Sequence, residues 1–376
     1  MKRFSPRSFL AGTIVLIVMF GAGRPSQSAE PTDHSWENFA VGQIGPRTWP
    51  ALVWSKERNR FVLVGGVVSH EHKGDKPYDV MTLDLPNKKW QNDLPPAANK
   101  RGELEGTVTD PGFKSPYFEI ADKEGVARIH PHQAMIGDQF AFAPWDGRIY
   151  ALVCGRTLRY DLAKREWQDL RPETSPTQPT RSYKETLNWG ALAADPVNKE
   201  IVLFGGCGLA TDGAGSGTWV YSTERNTWRD LNAKNQPSNR ALSPMVYDPT
   251  SRKIVLFGGD CLDLVRADTW IYDCKTRTWG ERKPAISPSP RFGHALLHLP
   301  KSGKIALIGG KSYTSSLSYA AMLYRVLPFE AWLYDVEKNT WNLLQHWEKD
   351  APVQISNQSL AAAVNDQDDV LLIEPQ

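Results

Sequence analysis

Five times along this chain a short apolar run ends in glycine, and an aromatic or aliphatic segment closing on aspartate or serine and then a tryptophan follow. The clearest copies read IVLFGG at Ile201–Gly206, IVLFGG at Ile254–Gly259 and IALIGG at Ile305–Gly310. Behind them come Trp219–Ser222, Trp270–Asp273 and Trp332–Asp335, then Trp228, Trp279 and Trp341. An earlier copy has Val62–Gly66, Met81–Asp84 and Trp90; a degenerate one has Ala151–Gly155, Leu158–Asp161 and Trp167. A repeat of roughly fifty residues built from short strands restricts the chain to an array of small sheets. It constrains function much less.

Each unit reads as four strands, a to d. In the fourth unit, Arg240–Tyr247 is strand a and the turn Asp248–Lys253 reverses it into strand b, Ile254–Phe257. A loop through Gly258-Gly259 leads to strand c, Thr269–Asp273, and the turn Cys274–Arg277 gives strand d around Trp279. Asp-Pro and Gly-Gly are turn punctuation, the glycines permitting positive φ. One such sheet cannot cover both of its faces. Radial stacking solves that and leaves only short edges.

These residues resemble the kelch repeat, whose hallmarks are the paired glycines, the aromatic–aspartate segment and the spaced tryptophan. The resemblance covers nearly everything after residue 28 and implies an all-β, galactose-oxidase-like β-propeller in a single domain, 29–376. Blades are expected at about 47–90, 130–167, 187–228, 240–279 and 291–341. A sixth begins near Ser359, while Ser35–Asn38 resembles a strand d without its preceding strands. Six four-stranded blades with the last closed by both chain ends is the simplest arrangement, although its strand c is missing. A truncated C-terminus with further blades is the competing one.

Length and charge add exclusions. The 376 residues carry 44 Lys and Arg against 42 Asp and Glu, so no long-range field recruits nucleic acid. Lys2, Arg3 and Arg7 followed by the apolar stretch Phe9–Phe20, with Ser26 and Ser28 at the −3 and −1 positions, read as a signal peptide over 1–28. The expectation is export to the periplasm or the extracellular space, without stable membrane insertion after cleavage; an uncleaved anchor is the alternative. Cys154, Cys207, Cys261 and Cys274 offer no obvious pairing, and free thiols are expected.

Because strands alternate in direction, b–c and d–a connections share one rim, and a–b and c–d turns share the other. The long insertions, Val67–Tyr78, Gln91–Ile129, Arg171–Thr186 and Lys311–Glu330, all fall on the first rim. Recognition residues concentrate on loops held by a rigid scaffold. Strand alignment puts Arg47, His130, Arg240 and Arg291 at equivalent starting positions, a cationic ring at the channel mouth suited to carboxylates. The competing reading has these arginines bracing neighbouring loops through carboxylates of their own. His70, His72, His130 and His132 form two His-X-His pairs on the same rim, a candidate seat for zinc or copper. His294, within Arg291-Phe-Gly-His294, reads as a structural residue.

Galactose oxidase itself uses a copper site that includes a Tyr-His dipeptide. None occurs here, so that site is not supported, and no cofactor is expected. The reading is an exported, non-catalytic binding scaffold for a protein or an extracellular glycan, acting through the b–c and d–a rim. The alternative is a carbohydrate-active enzyme on the same fold, either similar to kelch-type sialic-acid epimerases or an oxidoreductase.

Overall fold

The computed structural model describes residues 50–65, 80–93, 139–153, 156–179, 184–186, 189–206, 217–261, 264–313, 324–347 and 360–373, with the strand segments 14–20, 34–40, 47–48, 67–68, 118–120 and 127–129. The described elements are strands, and six four-stranded antiparallel sheets dominate. Blade one has strands Ala51–Ser55, Arg60–Val64, Val80–Asp84 and Lys89–Asn92. Blade two has Phe140–Ala143, Arg148–Val153, Arg156–Asp161 and Glu166–Asp169. Blade three has Ala191–Asp195, Glu200–Phe204, Thr218–Ser222 and Thr227–Asp230. Blade four has Met245–Asp248, Lys253–Asp260, Val265–Asp273 and Thr278–Arg282. Blade five has Ala295–Leu299, Lys304–Ile308, Phe329–Asp335 and Thr340–Trp347.

Blade six is composite. Strands a and b are Ala361–Val364 and Asp369–Ile373, and strand d is His34–Ala40. The expected gap at strand c is filled by Ile14–Phe20, from the apolar stretch read as the core of an export signal. It pairs with strand b from Val15↔Ile373 to Met19↔Asp369 and with strand d from Ile14↔Ala40 to Phe20↔His34. The final sheet thus joins both parts of the chain around the ring.

Six apolar clusters demonstrate closure, because each is shared by two consecutive sheets. They join blades one and two, two and three, three and four, four and five, five and six, and six and one. Alternation explains the packing: in each of blades two to five, a strand-c tyrosine faces the strand-d tryptophan of its own sheet, as in Tyr221–Trp228, with ring centroids 5.2 Å apart. The tryptophan then fastens its blade to the previous one. Trp228 Nε1 donates to Thr157 Oγ1 at 2.7 Å, Trp279 to Thr218 at 2.9 Å and Trp341 to Thr269 at 3.0 Å.

The glycine pairs do more than turn the chain. Gly258 and Gly259 have φ of 61° and 109°, and a Cβ on Gly258 would stand 2.4 Å from the Arg291 carbonyl oxygen. Strand b of blade four, expected to stop at Phe257, runs through this bulge to Asp260, with a register shift between Phe257 and Gly259. Strand c accordingly starts at Val265, whereas strand a starts later than expected, at Met245.

Turns at the plain rim are closed by aspartate. Asp195 accepts from the Val197 and Asn198 amides, and Asp248 from those of Thr250 and Ser251. In blade five Leu299 stands at that position, and Asp368 of blade six supplies the carboxylate instead. It accepts from Lys301 N at 2.8 Å and Ser302 N at 3.0 Å.

Candidate functional site

Topology places the d–a and b–c connections on one rim, as the sequence implies, and several carry short strand pairs of their own. Thr177–Pro179 pairs with Lys184–Thr186, and Lys311–Tyr313 with Tyr324–Val326. Arg47–Thr48 pairs with Val67–Val68, and Phe118–Ile120 with Ala127–Ile129. The elaborated rim is therefore partly built rather than wholly irregular.

Arg240 and Arg291 lie in the segments leading into strand a of blades four and five, and both guanidinium groups are wholly buried. The Arg240 fork donates to Asp268 at 2.6 and 2.8 Å, to the Gly258 carbonyl at 2.9 Å and to Ser238 Oγ at 3.0 Å. Arg291 repeats the pattern with Glu330 at 2.6 Å, the Gly309 carbonyl at 2.9 Å and Ser289 Oγ at 2.8 Å. Each arginine locks the start of strand a to its own glycine pair and to the connector entering strand c. Both arginines thus hold carboxylates of their own, with their side chains buried.

The carboxylate partners were not singled out from sequence, although a signal exists. Asp268 and Glu330 each lie two residues before a strand-c tryptophan, Trp270 or Trp332, whose indole N–H donates back to them at 2.8 and 2.9 Å. Burial raises the Asp268 carboxyl, but the Arg240 hydrogen bonds and charge outweigh it and hold the group below the usual range. Glu330 is held down likewise, burial being offset by Trp332 and Arg291. His346 reaches the same carboxylate from strand d, Nδ1 to Oε1 3.2 Å.

Arg47 lies in its short strand pair, four residues before Ala51, just as Arg291 lies four before Ala295. His130 falls outside the described residues, and strand a of blade two begins at Phe140, ten residues later. His70, His72 and His132 also lie outside the described residues. Among the described residues no group of three or more His, Cys, Asp or Glu side chains gathers as a metal site. Cys274 is a buried free thiol and Cys261 Sγ donates to the Leu264 carbonyl at 2.9 Å; Cys154 and Cys207 fall outside the described residues.

Inside the ring a cavity of about 360 Å3 follows the axis, lined from all six blades, for instance by Val53, Phe142, Ala194, Tyr247, Leu297 and Ala362. His294 borders it near the elaborated rim, fully buried, with neither ring nitrogen hydrogen-bonded. Burial first, then the Arg291 charge, holds this imidazole neutral, well below the ordinary histidine range. Nearby Lys311 is buried over the Phe292 ring, 5.3 Å from its centroid; burial lowers its pKa to about 8, against the opposing charge of Asp260. The channel wall is thus largely apolar, and the segments entering strand a of blades four and five are held by closed ion pairs. Such a site supports rigid presentation of the connectors above it.

Comparison with known proteins points the same way. The family model described as the KLHDC2/KLHL20/DRC7 Kelch-repeats domain matches residues 147–373. Kelch domain-containing protein 10 of Xenopus tropicalis is 27% identical over 283 residues, covering 73% of this chain and 59% of that protein. Adagio-like protein 3 of Oryza sativa subsp. japonica is 30% identical over 168 residues, 43% of this chain and 24% of that protein. Rho GTPase-activating protein gacHH of Dictyostelium discoideum is 26% identical over 160 residues, 41% of this chain and 10% of that protein. The chain therefore spans between 10% and 59% of the length of these relatives.

Proposed function

The chain belongs to the kelch-repeat family, and from that premise we propose that it is an interaction scaffold whose partner, a protein or a glycan, docks on the b–c and d–a rim. One observation carries the reading. The connectors at that rim are long and bear strand pairs of their own, whereas the blades beneath are fixed by buried arginine–carboxylate braces. A rigid platform under variable connectors suits recognition, because little ordering is needed on binding.

The test compares the two rims. A chain in which residues 314–323 are replaced by a short turn, Lys311 and its bridge to Phe292 being kept, should keep its thermal transition and lose its ligands in glycan-array and direct protein-binding assays. A control altered only at the Asp335–Asn339 turn should keep them. Equal binding by both variants would overturn the reading.

A further inference from the structure

Blade three departs from its neighbours at the plain rim. The last residue of strand c is Asp84, Asp161, Asp273 and Asp335 in blades one, two, four and five, but Ser222 in blade three. Opposite it, strand b starts with a cation in those four blades: Arg60, Arg148, Lys253 and Lys304. Three of these pairs close as ion pairs, Arg60–Asp84 at 3.4 Å, Arg148–Asp161 at 3.0 Å and Lys304–Asp335 at 2.6 Å. In blade three both members change, and Glu200 faces Ser222.

The exchange redirects the charges. Glu200 turns to the next blade and is held by Arg277, whose Nε and Nη2 donate to its two oxygens at 3.0 and 3.1 Å. Cross-strand pairs Val220↔Arg229 and Ser222↔Thr227 place the Arg229, Ser222 and Thr227 side chains on the face away from buried Tyr221 and Trp228. That face opens between blades three and four into a polar cavity of about 390 Å3, lined also by Arg225, Arg277 and Asn198. Asn198 is fixed by its donations to Asp195 at 2.7 Å and to the Cys274 carbonyl at 2.6 Å. Ser222 Oγ accepts from the Arg225 amide at 3.2 Å, which leaves its own hydrogen free to donate. Glu224 is paired with Lys199 at 3.1 Å, and Glu200 with Arg277, and among the described residues no carboxylate pairs with Arg225 or Arg229.

We propose that this wedge between blades three and four is a binding site for a tetrahedral oxyanion, the phosphate or sulfate group of an ester. The exposed guanidinium groups of Arg225 and Arg229 and the hydroxyls of Ser222 and Thr227 line it beside the paired carboxylates of Glu200 and Glu224, and guanidinium groups recognise such anions through paired hydrogen bonds. The missing aspartate is what opens the site, since a carboxylate at position 222 would compete for the same donors. The site lies on the rim opposite the connectors and is independent of what binds there.

The experiment is calorimetric titration of the full chain with inorganic phosphate and, separately, inorganic sulfate in chloride buffer. Saturable binding of at least one anion is expected in the unaltered protein. Ser222→Asp, which installs the residue of the other four blades opposite Glu200, should weaken binding about tenfold or more, as should Arg229→Ala, whose side chain is exposed. Preference for one anion identifies the ester. No saturable binding of either anion, or binding unchanged by both substitutions, would overturn the proposal.

Discussion

The two rims of this propeller are stabilised in opposite ways. At the plain rim many turns are closed by a carboxylate within two or three residues of the amides it caps, as Asp273 caps Lys275 and Thr276 and Asp161 caps Ala163 and Lys164, the blade-five turn capped by Asp368 being an exception. At the elaborated rim the braces are long-range: Arg240 reaches Asp268, 28 positions on, and Arg291 reaches Glu330, 39 positions on. Locally capped turns tolerate no insertion, because the cap depends on the spacing. A brace that spans the connector leaves its length free. This is why elaboration accumulates at one end of the ring.

The contrast predicts unequal consequences of substitution. The largest is expected for Arg291→Ala, which leaves the Glu330 carboxylate and the Gly309 carbonyl without their partner; unfolding in urea should show a loss of about 3–5 kcal/mol. A loss under 1 kcal/mol would mean that the elaborated rim does not rest on its braces.

Acid comes next. Neutral buried His294, whose pKa is depressed, contributes stability above the unfolded-state value of about 6.5 that is lost as pH falls below it, by about 1.4 kcal/mol per unit. The Asp268 and Glu330 carboxyls, also depressed, add stability above their unfolded values of about 4 that disappears as pH falls through their folded values. Thermal unfolding between pH 7 and pH 5 should therefore show a falling midpoint, and His294→Gln should flatten that slope.

Thr269→Val keeps the shape of the side chain but orphans the Trp341 indole N–H between blades four and five. A loss of about 1–2 kcal/mol in the same urea assay is expected. Smallest is Asp273→Ala at the plain rim, where about 0.5–1 kcal/mol should be lost and binding at the opposite rim left unchanged.

Much of this architecture was legible because the landmarks that fix a blade are local in sequence. A glycine pair, a strand-c tyrosine and a strand-d tryptophan each answer a packing demand inside one sheet, so blades three to five could be read almost residue by residue. Where the demand is met from elsewhere, reading stops. Ile14–Phe20 carries neither Gly-Gly nor tryptophan, and its composition equally suits an export signal, so its place as strand c of blade six could not be seen. The start of blade two was obscured in the same way, since the long connector before Phe140 carries no landmark. The arginine braces were half visible: the cations repeat at strand starts, but Asp268 and Glu330 differ in type and were overlooked beside the tryptophans. The Ser222 exchange was present in the aligned repeats, and its meaning emerged only once Glu200 was seen to turn toward Arg277.

The carboxylate that Asp368 lends to the Lys301–Ser302 turn reaches back 66 and 67 positions along the chain. During synthesis on the ribosome, the first hairpin of blade five must wait with bare amides until Asp368 has emerged. That hairpin therefore reports on the first hairpin of blade six: without Asp368 it stays unfastened, well away from the residue it lacks.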